Sequence, residues 1–379
     1  MSKKAIYRVL KVFGYLFPVK KNKVIFNNIN GLGYACNPKY IAEEMLKDGD
    51  FQLFWVVDKN KTIDYKSFPE QIKLVKLGSY SFIYHLFTSQ FIISNVRFDI
   101  WNWYKKRKEQ LYIQTWHGGL GLKKVEADLT NLPDFYINAA KLDAANTDFM
   151  MADSEFQKKQ IFERAFWYDG PVCEFGLPRH DIFFQDNSNI KNKVCDTLHI
   201  DKNIKICMYA PTFRNSYSLD VYKLDYAALR HALINKFGDE WIILSRLHPN
   251  LAHMKNVLPD LPYVYDASKY PDMQELLAAS DVVISDYSSC LLDFMITKRP
   301  GFIFATDIDA YIKERDFYIS LYDFPFTIAT NNNELVSNIQ SFDNDTYTQS
   351  VNSFLKDKGL YDDGHASEKV VNLLRRTSK

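Results

Sequence analysis

The chain has 379 residues, which is too long for one ordinary hydrophobic core, so two domains are expected. Hydrophobic residues make up 47% and charged residues 25% of it, as in a soluble globular protein. The formal net charge of +1 argues against binding nucleic acid through a broad basic surface. The five cysteines are scattered without a CxxC pair, so they favour reduced thiols over a zinc site or a disulfide framework.

The N-terminal segment 1–23 predicts a basic amphipathic helix. Apolar side chains recur at helical spacing from Ile6 to Phe17, and lysines and an arginine flank or oppose them. Such a helix can lie on an anionic membrane surface, or it can pack on the protein with its lysines in solvent. The sequence leaves both interpretations open. It contains neither a run long enough for a transmembrane helix nor a signal-peptide cleavage pattern.

Residues 24–190 predict a first domain in which short buried strands alternate with helices. This alternation is typical of a doubly wound parallel sheet. The predicted strands are 24–26, 51–57, 72–75, 91–94, 111–114, 149–152 and 172–175, and the predicted helices are 39–47, 79–89, 134–145 and 154–166.

Residues 204–379 predict a second domain of the same kind. The polar segment 185–203, rich in Asn and Lys, is the predicted connection between the domains. The second alternation has predicted strands at 206–209, 241–245, 263–265, 282–284 and 302–304, with helices at 226–237 and 273–279, one carrying Leu291 to Met295, and a last one at 366–376.

Polar residues recur at one place in both domains, the carboxyl ends of the predicted strands. In a parallel sheet these ends face the same side, so the residues that follow them can converge on one cleft. The polar residues lie at or within His117, Arg179, the run Pro211-Thr212-Phe213-Arg214, Arg246, His248, Ser288 and Ser289.

The types of these groups fit a phosphorylated substrate. Arginines bind a diphosphate through charge-assisted, forked hydrogen bonds, and Thr212 would add a donor. Ser288 and Ser289 open a predicted helix, where backbone N–H groups also favour phosphate. The competing interpretation is that the two serines only cap the helix. Asp293, about one turn further along, suits sugar hydroxyls or the support of a donor group.

His117 is the predicted general base, because a glycine-rich loop follows it and an unperturbed imidazole titrates near neutral pH. His248 lies between Arg246 and Pro249 and could donate to a phosphate oxygen or to the leaving group. The chain has no HxxxH motif and no carboxylate cluster at metal-ligand spacing, so no structural or tightly bound metal is predicted.

Six motifs occur in order along the chain and together resemble the CDP-glycerol glycerophosphotransferase family of teichoic-acid and capsule polymerases. They are QTWHGGLGLKK (114–124), GLPRHD (176–181), YAPTFR (209–214), SRLHPN (245–250), SDYSSCLLDF (285–294) and DGHASEKVV (363–371). The resemblance covers nearly the whole chain. It implies an α/β fold of two Rossmann-like domains that face each other across a cleft, as in GT-B transferases.

The resemblance also implies an activity. Members transfer a polyol phosphate from a CDP-polyol donor to a lipid-linked acceptor at the cytoplasmic face of the cell membrane, as peripheral proteins. The expected donor is CDP-glycerol or CDP-ribitol, and no tightly bound cofactor is expected. Expected partners are therefore the donor, the acceptor and the membrane surface, without nucleic acid.

Individual residues receive roles by the same resemblance. His117 would deprotonate the acceptor hydroxyl, and His248 would act at the diphosphate. The family commonly has Thr-Pro-Leu where this chain has Gly119, Leu120 and Gly121, which leaves the acceptor and the polyol open. The residues implied to hold the donor are Gly118, Gly119, Leu120, Gly121, Arg179, Pro211, Thr212, Arg246, Leu247, Ser288, Ser289 and Asp293.

Two other functions remain as alternatives. One is a glycosyltransferase on the same fold that uses a UDP- or CMP-sugar, which a donor screen would distinguish. The other is a non-catalytic scaffold of polysaccharide assembly. The complete set of His117, Arg246, His248 and Ser288 weighs against a scaffold, because a protein without catalysis has no reason to keep it.

Overall fold

The computed structural model of the chain describes residues 14–214, 223–247 and 258–377. These residues form two compact units, each built on one parallel sheet. The first unit comprises residues 14–117, 125–181 and 360–377, and the second comprises 118–124 and the described part of 182–359. The chain therefore passes from one unit to the other directly after His117.

The strands of the first unit are arranged in the order β3-β2-β1-β4-β5-β6-β7. β1 pairs in parallel with both β2 and β4, so the chain order reverses between β1 and β4. In such a sheet the crevice beyond the carboxyl ends at this reversal is the usual binding site. The strands are β1 (Lys20–Asn27), β2 (Gln52–Val57), β3 (Lys73–Lys76), β4 (Ser89–Ser94), β5 (Leu111–Gln114), β6 (Phe149–Met151) and β7 (Val172–Cys173).

Apolar side chains cover both faces of this sheet, as its parallel strands require. Val24 and Phe26 of β1 pack into one core, whereas Ile25 packs into the core on the other face, which is the alternation of a strand. The helices of this unit are α1 (Cys36–Asp48), α2 (Tyr80–Thr88), α3 (Asp134–Asn146), α4 (Glu155–Gln157, continued by a π-helical turn Lys158–Phe162 and by Glu163–Ala165) and α12 (Ala366–Thr377). Short 3₁₀ turns occur at Tyr65–Ser67, Glu126–Asp128 and Pro178–Phe184.

The C-terminal helix α12 belongs to the first unit, whereas the predicted boundaries 204–379 assigned it to the second. Val370, Val371 and Leu374 join the core that also contains Ile41 of α1. Asp181 accepts hydrogen bonds from the backbone N–H groups of the first two residues of α12, at 2.9 and 2.8 Å. The amphipathic pattern of the helix predicted its existence but not which sheet its apolar face would cover.

The predicted N-terminal helix 1–23 lies mainly outside the described residues, which begin at Gly14. Its last four residues, Lys20 to Lys23, instead begin β1. Lys23 is buried, donates to the Thr88 hydroxyl and lies 4.7 Å from the centroid of the Tyr84 ring. Burial lowers the pKa of Lys23 to about 8. A lysine predicted to face solvent or membrane is thus enclosed, because its aliphatic stem packs among aromatic rings.

The second unit repeats the strand order of the first. Its sheet runs β10-β9-β8-β11-β12-β13, and β8 pairs in parallel with β9 and with β11, so the chain order reverses between β8 and β11. Ser285 and Ala210 are opposite each other at the carboxyl end of that pair. The strands are β8 (Lys205–Ala210), β9 (Trp241–Ser245), β10 (Val264–Asp266), β11 (Val282–Ser285), β12 (Gly301–Phe304) and β13 (Thr327–Ala329).

Helices pack on this second sheet as well. They are α5 (Ser188–Leu198), α6 (Tyr226–Phe237), α7 (Met273–Ala279), α8 (Ser289–Met295), α9 (Ile308–Glu314), α10 (Asn332–Gln340) and α11 (Asn344–Lys358), with a 3₁₀ turn at Leu321–Asp323. Helix α5 lies within the segment 185–203 that we predicted as a connection. Its Val194 and Cys195 are fully buried, and Lys193 pairs with Glu275 of α7 at 2.7 Å. The polar composition of the segment concealed this narrow apolar stripe.

Candidate active site

His117 follows β5 on a turn with an unusual backbone. Trp116 and Leu120 have φ values of 53° and 46°, in the left-handed region that bulky residues rarely adopt. Asn37 supports the turn, since its Nδ2 donates to the Trp116 carbonyl oxygen at 2.9 Å. Backbone conformations of this kind persist only where the surrounding structure imposes them, and they are concentrated at functional sites.

The imidazole of His117 has a defined orientation. Its Nδ1 lies 2.9 Å from the carbonyl oxygen of Asn95. A carbonyl oxygen can only accept, so Nδ1 carries the proton and the neutral ring keeps its lone pair on Nε2. The ring of Trp116 packs against the imidazole with 4.4 Å between centroids, and His117 keeps an exposed surface. This is the arrangement that a general base requires.

The pKa of His117 is lowered from its ordinary value. Although part of the residue is exposed, the protein around the ring displaces water from the charged form, which is the largest cause. The positive charge of Arg179 lowers the pKa further, whereas the hydrogen bond to Asn95 opposes the shift. At a given acidic pH, a larger fraction of His117 than of a free histidine is therefore neutral and able to accept a proton.

Arg179 is buried and holds the turn that carries His117. Its Nη1 donates to the His117 carbonyl oxygen at 2.9 Å, and its backbone N–H donates to Oδ1 of Asn37 at 3.1 Å. These contacts position the base rather than a phosphate. The phosphate contact expected of Arg179 remains a prediction.

A cluster of asparagines that we did not predict lies where the first sheet reverses its strand order. Asn27 ends β1, Asn28 follows it, and Asn95 directly follows β4. Asn95 Nδ2 donates to Asn28 Oδ1 at 2.7 Å, and Asn95 Oδ1 accepts from the backbone N–H of Ile29 at 2.9 Å. The cluster fixes the residue whose carbonyl orients His117. Its signal in the sequence is polar residues directly after two buried strands, the criterion that we applied elsewhere in the chain.

Arg246 follows β9 in the second unit and is the arginine most suited to binding an anion. Its Nη1 donates to the Tyr270 carbonyl oxygen at 2.7 Å. Within the described part of the chain, no carboxylate oxygen lies within 4.0 Å of its guanidinium. Burial lowers the pKa of Arg246, and the negative charge of Asp272 opposes this shift. A cation that is desolvated without a counter-ion favours an anionic ligand.

Arg214, in contrast, is bound by two carboxylates. Its Nε donates to Asp307 at 2.7 Å and its Nη2 donates to Asp286 at 2.8 Å. Asp286 also accepts from the backbone N–H and the hydroxyl of Thr212, at 2.9 and 2.6 Å. The Thr212 hydroxyl proton is therefore used within the protein, and its predicted contact with phosphate remains a prediction.

The serines after β11 differ from each other. Ser288 caps helix α8, because its Oγ accepts from the backbone N–H of Cys290 at 3.3 Å, in agreement with the capping interpretation. Ser289 is partly exposed, and its hydroxyl donates to no other described residue. Asp293 is buried and accepts from Nε2 of Gln274 at 2.8 Å, so it links α8 to α7.

Of the remaining predicted site residues, two are buried, four form a loop of the second unit, and one lies outside the described residues. Pro211 and Leu247 are buried, and the backbone N–H of Leu247 donates to the Ser268 hydroxyl at 3.0 Å. The loop of Gly118, Gly119, Leu120 and Gly121 belongs to the second unit. His248 lies outside the described residues. Among the residues described, no group of three or more His, Cys, Asp or Glu side chains is placed to hold a metal ion.

The first unit thus joins His117 to Arg179, and the second places Arg246 and Ser289 after two strands of one sheet, β9 and β11, which β8 separates. A family model for CDP-Glycerol:Poly(glycerophosphate) glycerophosphotransferase matches residues 9–376. The chain belongs to this family. The predicted family resemblance is therefore confirmed.

Two relatives illustrate the range of sizes in the family. The chain is 32% identical over 386 aligned residues to a teichoic acid poly(glycerol phosphate) polymerase of Bacillus subtilis (strain 168), covering 97% of this chain and 50% of the relative. It is 30% identical to a protein of the same description from Bacillus spizizenii, covering 97% of this chain and 95% of the relative. The chain thus spans about half the length of the first relative and nearly all of the second.

A solved structure of the wall teichoic acid polymerase TagF, soaked with CDPG, is similar to this chain throughout. The two share 27% identity and a TM-score of 0.85, covering 99% of this chain and 94% of the other. This likeness, with the two parallel sheets described above, confirms the predicted fold class of two Rossmann-like, GT-B-like α/β domains.

Proposed function

We propose that this member of the family transfers glycerol phosphate from CDP-glycerol to a hydroxyl at the end of a lipid-linked glycerophosphate acceptor, with His117 as the general base. The acceptor oxygen attacks the phosphorus that carries glycerol, the bond from that phosphorus to the bridging oxygen breaks, and CMP leaves. The proton of the acceptor hydroxyl passes to Nε2 of His117. The family match and the two relatives' descriptions support the reaction class.

The observation that carries the proposal is the hydrogen bond from His117 Nδ1 to the Asn95 carbonyl oxygen at 2.9 Å. It gives the imidazole one tautomer and one orientation before any substrate binds. The lowered pKa keeps Nε2 unprotonated at neutral pH. General base catalysis by a group held in this way contributes about 10²–10⁴-fold to a rate.

Arg246 is the residue that we propose for the diphosphate. It is a desolvated guanidinium that donates to the backbone oxygens of Tyr270 and Ala267, at 2.7 and 3.5 Å, and has no carboxylate within 4.0 Å among the described residues. A nucleoside diphosphate would supply the missing negative charge, and the same contact would stabilise the charge that develops as CMP leaves. The partly exposed hydroxyl of Ser289 and the predicted role of His248 fit the same ligand.

We further propose that the protein is a peripheral membrane protein that works at the cytoplasmic face. Leu16 and Phe17 are 71% and 45% exposed directly before β1. The basic run 105–108 lies beside them, since Tyr15 donates to the Lys105 carbonyl oxygen at 2.7 Å. Exposed apolar side chains next to lysines and arginine suit an anionic lipid surface. None of the helices in the described residues is long and apolar enough to cross a bilayer.

Release of CMP by the purified protein tests the proposed reaction. CDP-glycerol, CDP-ribitol, and UDP- and CMP-sugars would each be supplied with a lipid-linked acceptor. We expect CMP from CDP-glycerol. His117→Ala should lower the rate at least about 10²-fold, because it removes the base. His231→Ala is the matched control, since His231 is an exposed histidine of α6.

The outcomes separate the alternatives. CMP from CDP-ribitol alone would change the polyol but keep the reaction class. Turnover of a sugar nucleotide alone would assign a glycosyltransferase, and no turnover of any donor would favour the scaffold. A folded His117→Ala variant with a rate close to that of the parent protein would rule out His117 as the base.

A further inference from the structure

Lys123 lies in the loop 118–124, which follows His117. Contacts within the second unit fix the backbone of Lys123. Lys123 pairs with Phe317 in an isolated antiparallel bridge. On either side of it, Tyr318 N–H donates to the Leu122 carbonyl oxygen and Lys124 N–H donates to the Asp316 carbonyl oxygen, both at 3.0 Å. The Lys123 side chain therefore projects from a defined position.

The ammonium group of Lys123 is partly buried beside aromatic rings. Its Nζ lies 5.3 Å from the centroid of the Tyr311 ring, and Tyr311 stacks on Tyr287 with 3.8 Å between centroids. The guanidinium carbon of Arg214 lies over the same two rings, at 4.9 and 4.7 Å. One pair of stacked tyrosines thus lies beside two cations.

The charges around Lys123 do not neutralise it. The pKa of Lys123 is lowered to about 8, chiefly by burial; Asp286 and Cys290 oppose this shift, and Arg315 and Arg214 contribute to it. Within the ranges that the structure describes, no carboxylate oxygen lies within 4.0 Å of the Lys123 Nζ.

Asp286, the acidic neighbour of Lys123, is already engaged. It accepts from Arg214 at 2.8 Å and from the Thr212 hydroxyl at 2.6 Å. The positive charge of Lys123 therefore lacks a counter-ion of its own. Arg246, in the same unit, also has no carboxylate partner among the described residues.

Lys123 and Arg214 lie over the same Tyr311 ring, and Arg214 pairs with Asp286, which directly follows β11. Arg246 directly follows β9, and only β8 separates β9 from β11 in the sheet. Two cations without carboxylate partners among the described residues thus belong to the same edge of the second sheet. A group with two negative charges close together would satisfy both, and a diphosphate is such a group.

We propose that Lys123 binds the diphosphate of the nucleoside diphosphate donor together with Arg246. The inference rests on the proposed function and adds a residue to that site.

Calorimetric titration of the full chain with CDP and with cytidine tests this role. Lys123→Met removes the charge and keeps the length of the side chain. We expect it to weaken the binding of CDP about tenfold or more, as expected for loss of a charge-assisted contact, and that of cytidine less than about twofold. Lys124→Met is the matched control, because Lys124 is on the same loop and pairs with the exposed Asp316 at 3.4 Å. It should bind both ligands like the parent protein.

Two further measurements distinguish a ligand from a structural lysine. Lys123→Arg should restore the affinity for CDP to within about threefold, because it restores the charge. The affinity of the parent protein for CDP should fall as the pH rises through about 8, where free Lys123 loses its proton, and this component should be absent from Lys123→Met.

The inference and the proposed function fail in different ways. A parent protein that binds CDP no better than cytidine would contradict the donor class itself. A parent protein that prefers CDP, with a Lys123→Met variant that binds CDP equally well, would refute the inference alone. Equal losses for CDP and cytidine in that variant would also refute it, because they indicate a structural role.

Discussion

Arg246 and Arg214 lie at the same edge of one sheet in opposite electrostatic surroundings, so replacing each with glutamine should separate activity from stability. Arg246 has no carboxylate partner in the described residues, whereas Arg214 joins two carboxylates. Both variants remove one positive charge and keep a polar side chain. Any difference between them therefore comes from what surrounds each guanidinium.

The expected magnitudes follow from these contacts. Arg214→Gln leaves Asp286 and Asp307, 4% and 19% exposed, without their cation, which should lower the free energy of unfolding by about 3–5 kcal/mol. Arg246→Gln loses hydrogen bonds to two backbone oxygens, at 2.7 and 3.5 Å, together about 1–2 kcal/mol, and also loses the unfavourable burial of an unpaired charge. The stability of this second variant should therefore change by about 1 kcal/mol or less.

Activity should show the reverse order. Loss of one donor that stabilises developing charge in a transition state costs about 2.7–4 kcal/mol, or about 10²–10³-fold in rate. Arg246→Gln should therefore lower kcat/KM for CMP release by about that factor while it remains folded. Urea denaturation measures the stability of both variants, and CMP release measures activity.

Two results would refute this reasoning. If Arg246→Gln kept kcat/KM within about threefold of the parent value, the unpaired guanidinium would have no role at the donor. If it lost as much stability as Arg214→Gln, Arg246 would be part of the internal charge network and unavailable to a ligand.

Two other predictions concern pH and the membrane. Because the neutral form of His117 is the active one and its pKa is lowered, kcat/KM should decline with falling pH around a midpoint below that of a free histidine, about 6.5; a midpoint above 6.5 would contradict this. Leu16→Asp should weaken binding to vesicles of anionic phospholipid about tenfold, judged by the transfer free energy of a leucine side chain. Phe135→Asp, which replaces an exposed residue of α3, is the control and should bind the vesicles like the parent protein. If Leu16→Asp also bound them like the parent protein, the surface before β1 would not contact lipid.

The sequence predicted best those elements whose apolar residues form a continuous run or recur at regular spacing. Strands β5 and β9 and helices α6 and α7 have the predicted bounds for this reason. The position of the site could be predicted for the same reason. Strand ends are visible in a sequence, and parallel strands bring them to one edge.

The partners of individual polar residues could not be predicted. Asp286 lies in a motif that we singled out, yet nothing local indicates that it binds Arg214, which lies 72 positions earlier. Asn95 orients His117 through a backbone carbonyl, which is a group that every residue has. The sequence pattern predicts that Lys23 faces solvent or membrane, whereas in the structure it lies beside the rings of Phe54 and Tyr84. Each contact depends on tertiary structure that a local pattern does not encode.

The position of α12 has a consequence for the order in which the protein is made. Val370, Val371 and Leu374 complete a core whose other members are synthesised much earlier, from Val24 onward. A ribosome releases the second unit, which ends at residue 359, before it releases this helix. Since units fold as soon as their contacts are complete, the second unit can fold first, although it is encoded later. Until α12 has left the ribosome, the apolar face that it covers is exposed and is a surface for a chaperone to protect.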